Sequence, residues 1–148
     1  MAVRALRKVP WLIYFRDNYR WSFNIHIALG MARSGGGEIG EVDQVCRALA
    51  KKSGDEGAWF REWGKMGDRL RLRGEEELKK GHKLSAANNF QRACTYYQMG
   101  ERFRLPKDKA ALDMYRESIR CFHRYAALTD RPSITPAEIP FGRKKLPG

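Results

Sequence analysis

Residues 59–81 read WFREWGKMGDRLRLRGEEELKKG, and this stretch decides the fold. Its first half repeats large apolar side chains at the spacing that places them on one face of an α-helix. They are Trp59, Phe60, Trp63, Met66 and Leu70. Beyond Leu70 the stretch becomes strongly charged, which is typical of a solvated helix face, and Gly81 ends it. The stretch therefore predicts a long helix over about residues 55–80, with Ser53 and Glu56 as a capping box at its start.

Four other segments show the same helical periodicity. They cover about residues 22–33, 39–51, 84–103 and 107–128. The spacing also predicts which side chains face inward. In segment 22–33 they are Phe23, Ile27 and Met31. In segment 84–103 they are Ala86, Phe90, Ala93, Tyr97 and Gly100, and in segment 107–128 they are Leu112, Tyr115, Ile119, Phe122 and Ala126.

The character of the sequence changes after Thr129. Prolines at 132, 136, 140 and 147 end the helical pattern, and residues 137–141 are short and compatible with a β-strand. Gly142 and the residues after it suit a hairpin turn, with a second strand beginning near Leu146. We predict an all-α fold, a bundle of about five helices, that ends in the first β-hairpin of a further domain. Because the sequence stops inside that hairpin, we expect the natural protein to continue.

Three segments follow from this pattern. Residues 1–21 form an N-terminal arm, residues 22–130 a helical domain, and residues 131–148 a linker with the start of the second, truncated domain. The arm's apolar stretch, Trp11 to Phe15, is too short for a signal-peptide core or a membrane span. We expect no membrane contact.

The chain is strongly basic, with 29 Lys and Arg residues against 17 Asp and Glu and a net charge of +12. Such an excess indicates an anionic partner, which includes an acidic second domain. The basic residues are spread along the chain, and no aromatic residues interleave with the run from Arg69 to Lys83, so stacking on bases is not indicated. Nucleic acid is therefore an unfavoured partner.

The sequence assigns no metal site and no cofactor. Cys46, Cys94 and Cys121 are widely spaced and form no CxxC motif, so neither a disulfide framework nor a zinc site is indicated, and a reducing cytoplasm fits best. Cys94 and Cys121 fall on apolar helical faces, which predicts buried, unreactive thiols at these two positions. Gly35-x-Gly37-x-x-Gly40 matches the dinucleotide fingerprint formally. That fingerprint requires a strand before it, whereas a helical pattern precedes it here, so a flexible connector is the better interpretation.

Several short motifs together resemble one known group of enzymes, the α/β-fold hydrolases with an N-terminal helical domain, such as 2,6-dihydroxypseudooxynicotine hydrolase and the fungal pigment-pathway hydrolases that shorten polyketides. The resemblance covers most of residues 22–148. The motifs are Gly36-Gly-Glu-Ile-Gly40, Trp59-x-x-x-Trp63 with Arg69, GHKLSA at 81–86, Arg92-Ala93-x-x-Tyr96-Tyr97, Tyr115-x-x-Ser118-x-x-x-Phe122, and Ile139-Pro-Phe-Gly-x-x-x-Leu146-Pro-Gly148.

The resemblance implies a Ser-His-Asp hydrolase that cleaves carbon–carbon bonds or esters of acyl substrates, with the helical domain as a lid over the active site. It implies as partners the chain's own missing α/β-hydrolase domain, a small acyl or aromatic substrate, and a second copy in a homodimer. The nucleophile motif G-x-S-x-G is absent from these residues, so we assign none of them a catalytic role. A binding module similar to tetratricopeptide units and a basic nucleic-acid-binding domain are the alternatives.

Four aromatic residues are our candidates for lining the substrate pocket: Trp59, Tyr96, Tyr97 and Phe103. Tyr96 and Tyr97 are adjacent on a helix and point about 100° apart, so one can enter the core while the other faces a cleft between domains. An aromatic wall would suit an aromatic substrate. The alternative is that both tyrosines pack in the bundle.

Overall fold

The computed structural model describes residues 14–147, and these residues form five α-helices followed by a two-stranded sheet. The helices are α1 (Tyr19–Gly30), α2 (Ile39–Leu49), α3 (Glu56–Lys79), α4 (Lys83–Glu101) and α5 (Lys109–Leu128). A 3-10 turn, Met31–Ser34, follows α1, and the strands are β1 (Glu138–Phe141) and β2 (Lys144–Pro147). The predicted all-α bundle with a terminal hairpin is confirmed. Most of the predicted arm, residues 1–13, lies outside the described residues, and the three segment boundaries stay predictions.

Side-chain caps determine where the helices begin. The Asp55 carboxylate accepts a hydrogen bond from the Ala58 N–H at 2.8 Å, and Asp108 caps α5 in the same way. The predicted capping box of Ser53 and Glu56 is wrong, because Asp55 stands directly before the first helical residue and offers the better acceptor. Gly81 ends α3 with a positive φ of 82°, a conformation that a residue with a side chain adopts only with strain.

Helices α3 and α4 approach each other closely because glycines of α3 face aromatic rings of α4. A Cβ atom placed on Gly67 would lie 2.7 Å from the Tyr97 ring, and one on Gly74 would lie 2.8 Å from the Phe90 ring. Both contacts are shorter than van der Waals distance. The two rings therefore occupy the space that side chains at positions 67 and 74 would need.

A chain of aromatic rings runs through the core at the other end of this helix pair. Neighbouring ring centroids lie 4.8–5.6 Å apart, the usual range for paired aromatic side chains. The rings belong to Phe15, Trp21, Trp59, Trp63, Tyr96 and Phe103. The chain joins α1 to α3 and α4, so the N-terminal helix is fixed to the central pair by aromatic packing.

The predicted inward face of α1 is wrong. Phe23 and Met31 are exposed, and the buried residues are Trp21, Asn24, Ile25 and Ala28. Trp21 packs on Trp59, and this contact sets the rotation of the helix. Asn24 is polar but buried, and its side chain accepts a hydrogen bond from Arg102 at 2.8 Å. Apolar spacing alone does not reveal such a residue.

The predicted inward face of α5 is also wrong, whereas those of α3 and α4 are largely confirmed. Ala111, Ser118 and Cys121 are buried on α5, each one residue before a residue that was predicted to be buried. The core-facing side is thus turned by about 100° from the predicted one. Small side chains face the bundle here, and the larger ones, Leu112, Tyr115, Ile119 and Phe122, are exposed.

The hairpin pairs β1 with β2 in antiparallel register, with Phe141 opposite Lys144. Gly142 begins the turn with a positive φ of 59°. Ile139, Phe141 and Leu146 are exposed, so the ribbon buries little apolar surface. Two strands alone are marginally stable in water.

The close approach of α3 and α4 can be tested with two glycines. Gly67→Ala places a methyl group against the Tyr97 ring, so overpacking should cost about 1–3 kcal/mol, offset in part by the better helix propensity of alanine. Gly30→Ala is the matched control, since no atom lies within 4 Å of a Cβ placed on Gly30 and the φ angle of that residue is negative. Urea unfolding should show Gly67→Ala less stable and Gly30→Ala equal to or more stable than the unsubstituted chain. Equal stability of the two variants would contradict the packing described.

Candidate functional site

The four predicted pocket residues all lie in the core of the bundle, where each is at most 7% exposed. The structure brings Trp59 and Phe103 together, with ring centroids 5.0 Å apart, and the Trp59 indole donates a hydrogen bond to the Met99 carbonyl at 2.6 Å. Tyr96 packs on Trp63, and Tyr97 lies further along α4 against α3. A role for these residues in lining a substrate pocket stays a prediction.

The hydroxyl of Tyr96 ties α4 to the start of α2. It accepts a hydrogen bond from the Glu38 N–H at 2.9 Å and donates one to the Glu41 carboxylate at 2.8 Å. Arg92 Nε lies 3.1 Å from the same carboxylate and forms an ion pair with it, but the direction of its N–H does not allow a hydrogen bond. Burial, together with the negative charge of Glu41, raises the pKa of Tyr96 above its ordinary value. The phenol therefore stays protonated and serves as a structural link.

A second polar network joins α3, α4 and α5. The Tyr97 hydroxyl donates to Asp68 at 2.7 Å and accepts from Arg71 at 3.3 Å. Arg71 and Arg124 both donate to Glu75, at 2.9 and 2.8 Å. Burial by itself would raise the pKa of Glu75, but the hydrogen bonds from Arg124 and Arg71 outweigh it and lower that pKa. The network holds α5 against the central pair.

Within residues 14–147 no group of three His, Cys, Asp or Glu residues is placed to hold a metal ion. Cys94 and Cys121 are buried, as predicted, and so is Cys46. Burial raises the pKa of the Cys94 thiol to about 11. The nucleophilic thiolate is therefore disfavoured at each of these sites.

The outer face of α5 is the feature of the described surface that most resembles a functional site. We call it the α5 face, and it consists of Leu112, Tyr115, Ile119 and Phe122. These side chains are 41%, 46%, 38% and 43% exposed. They recur at spacings of three, four and three residues and so form one stripe about 15 Å long. Four large apolar side chains aligned on a surface make it a candidate binding surface.

One rim of the α5 face is cationic. Lys109, Arg116 and His123 follow each other at intervals of seven residues, beside the apolar stripe. Lys109 and Arg116 share a single carboxylate, Asp113, so these three groups leave one net positive charge. The opposite rim faces the bundle through the buried Ala111 and Ser118.

A shallow groove lies between α2 and α3. Its volume is about 260 Å³, and its floor is formed by Val45 and Met66, with Glu62, Lys65 and Arg69 around it. Small-molecule sites usually occupy about 300–1,000 Å³. The groove is thus smaller than a typical ligand site, and the α5 face remains the candidate.

The sequence reasoning missed the α5 face because it placed those residues in the core. A signal was present, since α5 carries two adjacent stripes, one of small residues at 111, 118 and 121 and one of large apolar residues. Together they span more of the helix surface than a single packing neighbour covers.

None of the helices in the described part of the chain combines the length and the apolar character that crossing a membrane requires.

Replacement of Tyr96 by phenylalanine tests the link between α2 and α4. The variant removes the hydrogen-bond acceptor of the Glu38 N–H and one of the partners of the Glu41 carboxylate, which should cost about 1–2 kcal/mol of unfolding free energy. Tyr19→Phe is the control, because that side chain is 81% exposed. Chemical denaturation measures both; a Tyr96→Phe chain as stable as the control would refute the structural role of the hydroxyl.

The buried thiols predict a pH dependence. A cysteine whose pKa is raised in the folded state stabilises the fold below about pH 9 and loses that contribution as the pH rises toward 11 for Cys94 and about 12 for Cys121. We therefore expect stability to fall above pH 9. At pH 8 the thiol reagent DTNB should label none of the three cysteines in the folded chain and all three in urea. Rapid labelling of the folded chain would contradict their burial.

Comparison with known proteins finds that this chain is similar to several proteins named as α/β hydrolases. No family model matches the chain. Curated relatives are the "Alpha/beta hydrolase xenA" of Xenoacremonium sinensis, 26% identical over 127 residues, and the "Alpha/beta hydrolase pydG" of Acremonium sp., 28% identical over 135 residues. A third is the "Alpha/beta hydrolase gkaG" of Penicillium citrinum, 27% identical over 127 residues.

These matches cover 86–90% of this chain but only 29–31% of each relative. The chain thus spans less than a third of the length of the α/β hydrolases it matches. The resemblance inferred from its motifs is confirmed: over most of its length, this helical chain is similar to a part of three α/β hydrolases.

Proposed function

We propose that this chain is the helical part of an α/β-fold hydrolase, in which it covers the active site and shapes the space for the substrate. The observation that carries the proposal is the similarity of 127–135 residues to three proteins named as α/β hydrolases, of which the chain covers 29–31%. A match of that extent fits one domain of a larger enzyme.

Two structural features support the proposal. The hairpin exposes Ile139, Phe141 and Leu146, and its strands would gain stability by joining a larger sheet. The α5 face exposes four large apolar residues that a neighbouring domain would cover. Both features suit a second domain, and the net charge of +12 suits an acidic one.

In this proposal the chemistry belongs to the part of the enzyme that follows the hairpin. A serine on a G-x-S-x-G turn, activated by a histidine and a carboxylate, would attack an acyl carbon of an ester or a diketone. The helical part would exclude water and hold the substrate in position. We assign it no proton transfer. The buried aromatic residues would contribute indirectly, because they hold α1, α3 and α4 in a fixed arrangement.

The test is to read and express the complete open reading frame that contains these 148 residues. We expect a G-x-S-x-G motif downstream and hydrolysis of an acyl ester such as 4-nitrophenyl butyrate, or of a β-diketone. Replacement of that serine by alanine should reduce kcat by about 10³-fold or more. The 148-residue chain alone should show no activity above buffer.

A reading frame that stops directly after Gly148, or a complete product without hydrolase activity on either substrate class, would refute the proposal. The binding-module and nucleic-acid hypotheses would then be tested, the latter through the salt dependence of RNA or DNA binding.

A further inference from the structure

We propose that the α5 face binds an amphipathic α-helix whose apolar seam is flanked by carboxylates. The proposal rests on the proposed function for the source of that helix, which we place in the catalytic part of the same hydrolase. The surface itself is defined by the geometry and charge of α5.

The spacing of the α5 face indicates a helical partner. Its residues at 112, 115, 119 and 122 follow the alternating three- and four-residue steps of the a and d positions in a heptad. Such a seam presents knobs that fit between side chains of a facing helix. A strand would meet side chains at a period of two and would not match it.

The cationic rim of the α5 face indicates the charge of the partner. Lys109, Arg116 and His123 occupy equivalent heptad positions next to the seam, where flanking charges set the choice of partner. Asp113 neutralises only one of the two permanent cations. Carboxylates on the incoming helix would pair with this rim, and the whole chain adds long-range attraction through its net charge of +12.

The same charges argue against a second copy of this chain on the α5 face. In an antiparallel two-fold pair of α5 helices, the cationic rim of one copy would lie opposite the cationic rim of the other. Two chains that each carry a net charge of +12 would also repel each other.

A pair of designed peptides tests the inference. Each has about three heptads with leucine at a and d, and one carries glutamate and the other lysine at all e and g positions. Like charges keep each peptide from pairing with itself. Fluorescence anisotropy with the 148-residue chain should show the glutamate peptide binding about tenfold more tightly than the lysine peptide, with the difference shrinking as salt rises.

Three variants distinguish peptide binding at the α5 face from binding elsewhere on the chain. Ile119→Asp puts a charge in the centre of the seam and should weaken binding of the glutamate peptide about tenfold or more. Leu84→Asp is the matched control, because Leu84 is 75% exposed but lies on α4, outside the seam, and it should change nothing. Arg116→Glu makes the net charge of this rim negative and should reduce the preference for the glutamate peptide. Circular dichroism confirms that each variant is folded.

Equal binding of the two peptides, or equal effects of Ile119→Asp and Leu84→Asp, would overturn the inference. So would a dimer of the 148-residue chain in sedimentation that Ile119→Asp abolishes. The outcomes are distinguishable from those for the proposed function. A hydrolase that is active while the α5 face shows no preference for the acidic peptide refutes only the inference. Peptide binding without hydrolase activity refutes only the proposed function.

Discussion

The close approach of α3 and α4 is the contact on which the rest of the bundle depends. Gly67 and Gly74 leave room for the rings of Tyr97 and Phe90, so the two helices pack closely along their length. Once these helices are fixed, Trp59 and Trp63 meet Trp21 and Tyr96, and α1 takes its place. The Tyr97 hydroxyl then joins the ionic network that positions α5. The glycines at positions 67 and 74 thus help to determine where the helices around the central pair lie.

The number, order and extent of the helices could be predicted from the sequence because each apolar stripe lies within one segment and ends near a glycine or a proline. The rotation of α1 and α5 could not. On α5 the choice between two adjacent stripes depends on how much room the neighbouring helices leave. The small residues Ala111, Ser118 and Cys121 fit that room, which leaves the larger side chains outside. Spacing within one helix carries no information about its neighbours.

The same limit applies to the candidate site. Trp59, Tyr96, Tyr97 and Phe103 are all buried in the bundle, where large aromatic surface is a main source of core stability, and their role in lining a substrate pocket stays a prediction. The hydrogen bonds of Tyr96 and Tyr97 to Glu41 and Asp68 show how a phenol is accommodated there. For the α5 face, the sequence shows two adjacent stripes on the helix, but only the structure shows that the stripe of larger side chains is the exposed one. This exposed stripe is the observation on which the proposed contact with the rest of a larger hydrolase is based.

The central claim is that the α5 face is covered by the remainder of a larger hydrolase. Hydroxyl-radical footprinting of the 148-residue chain and of the complete gene product, side by side, tests it most directly. We expect Tyr115 and Phe122 to be oxidised readily in the 148-residue chain and several-fold more slowly in the complete product, while the exposed Tyr19 reacts alike in both. Equal oxidation of Tyr115 and Phe122 in the two proteins would show that the face stays open and would contradict the claim.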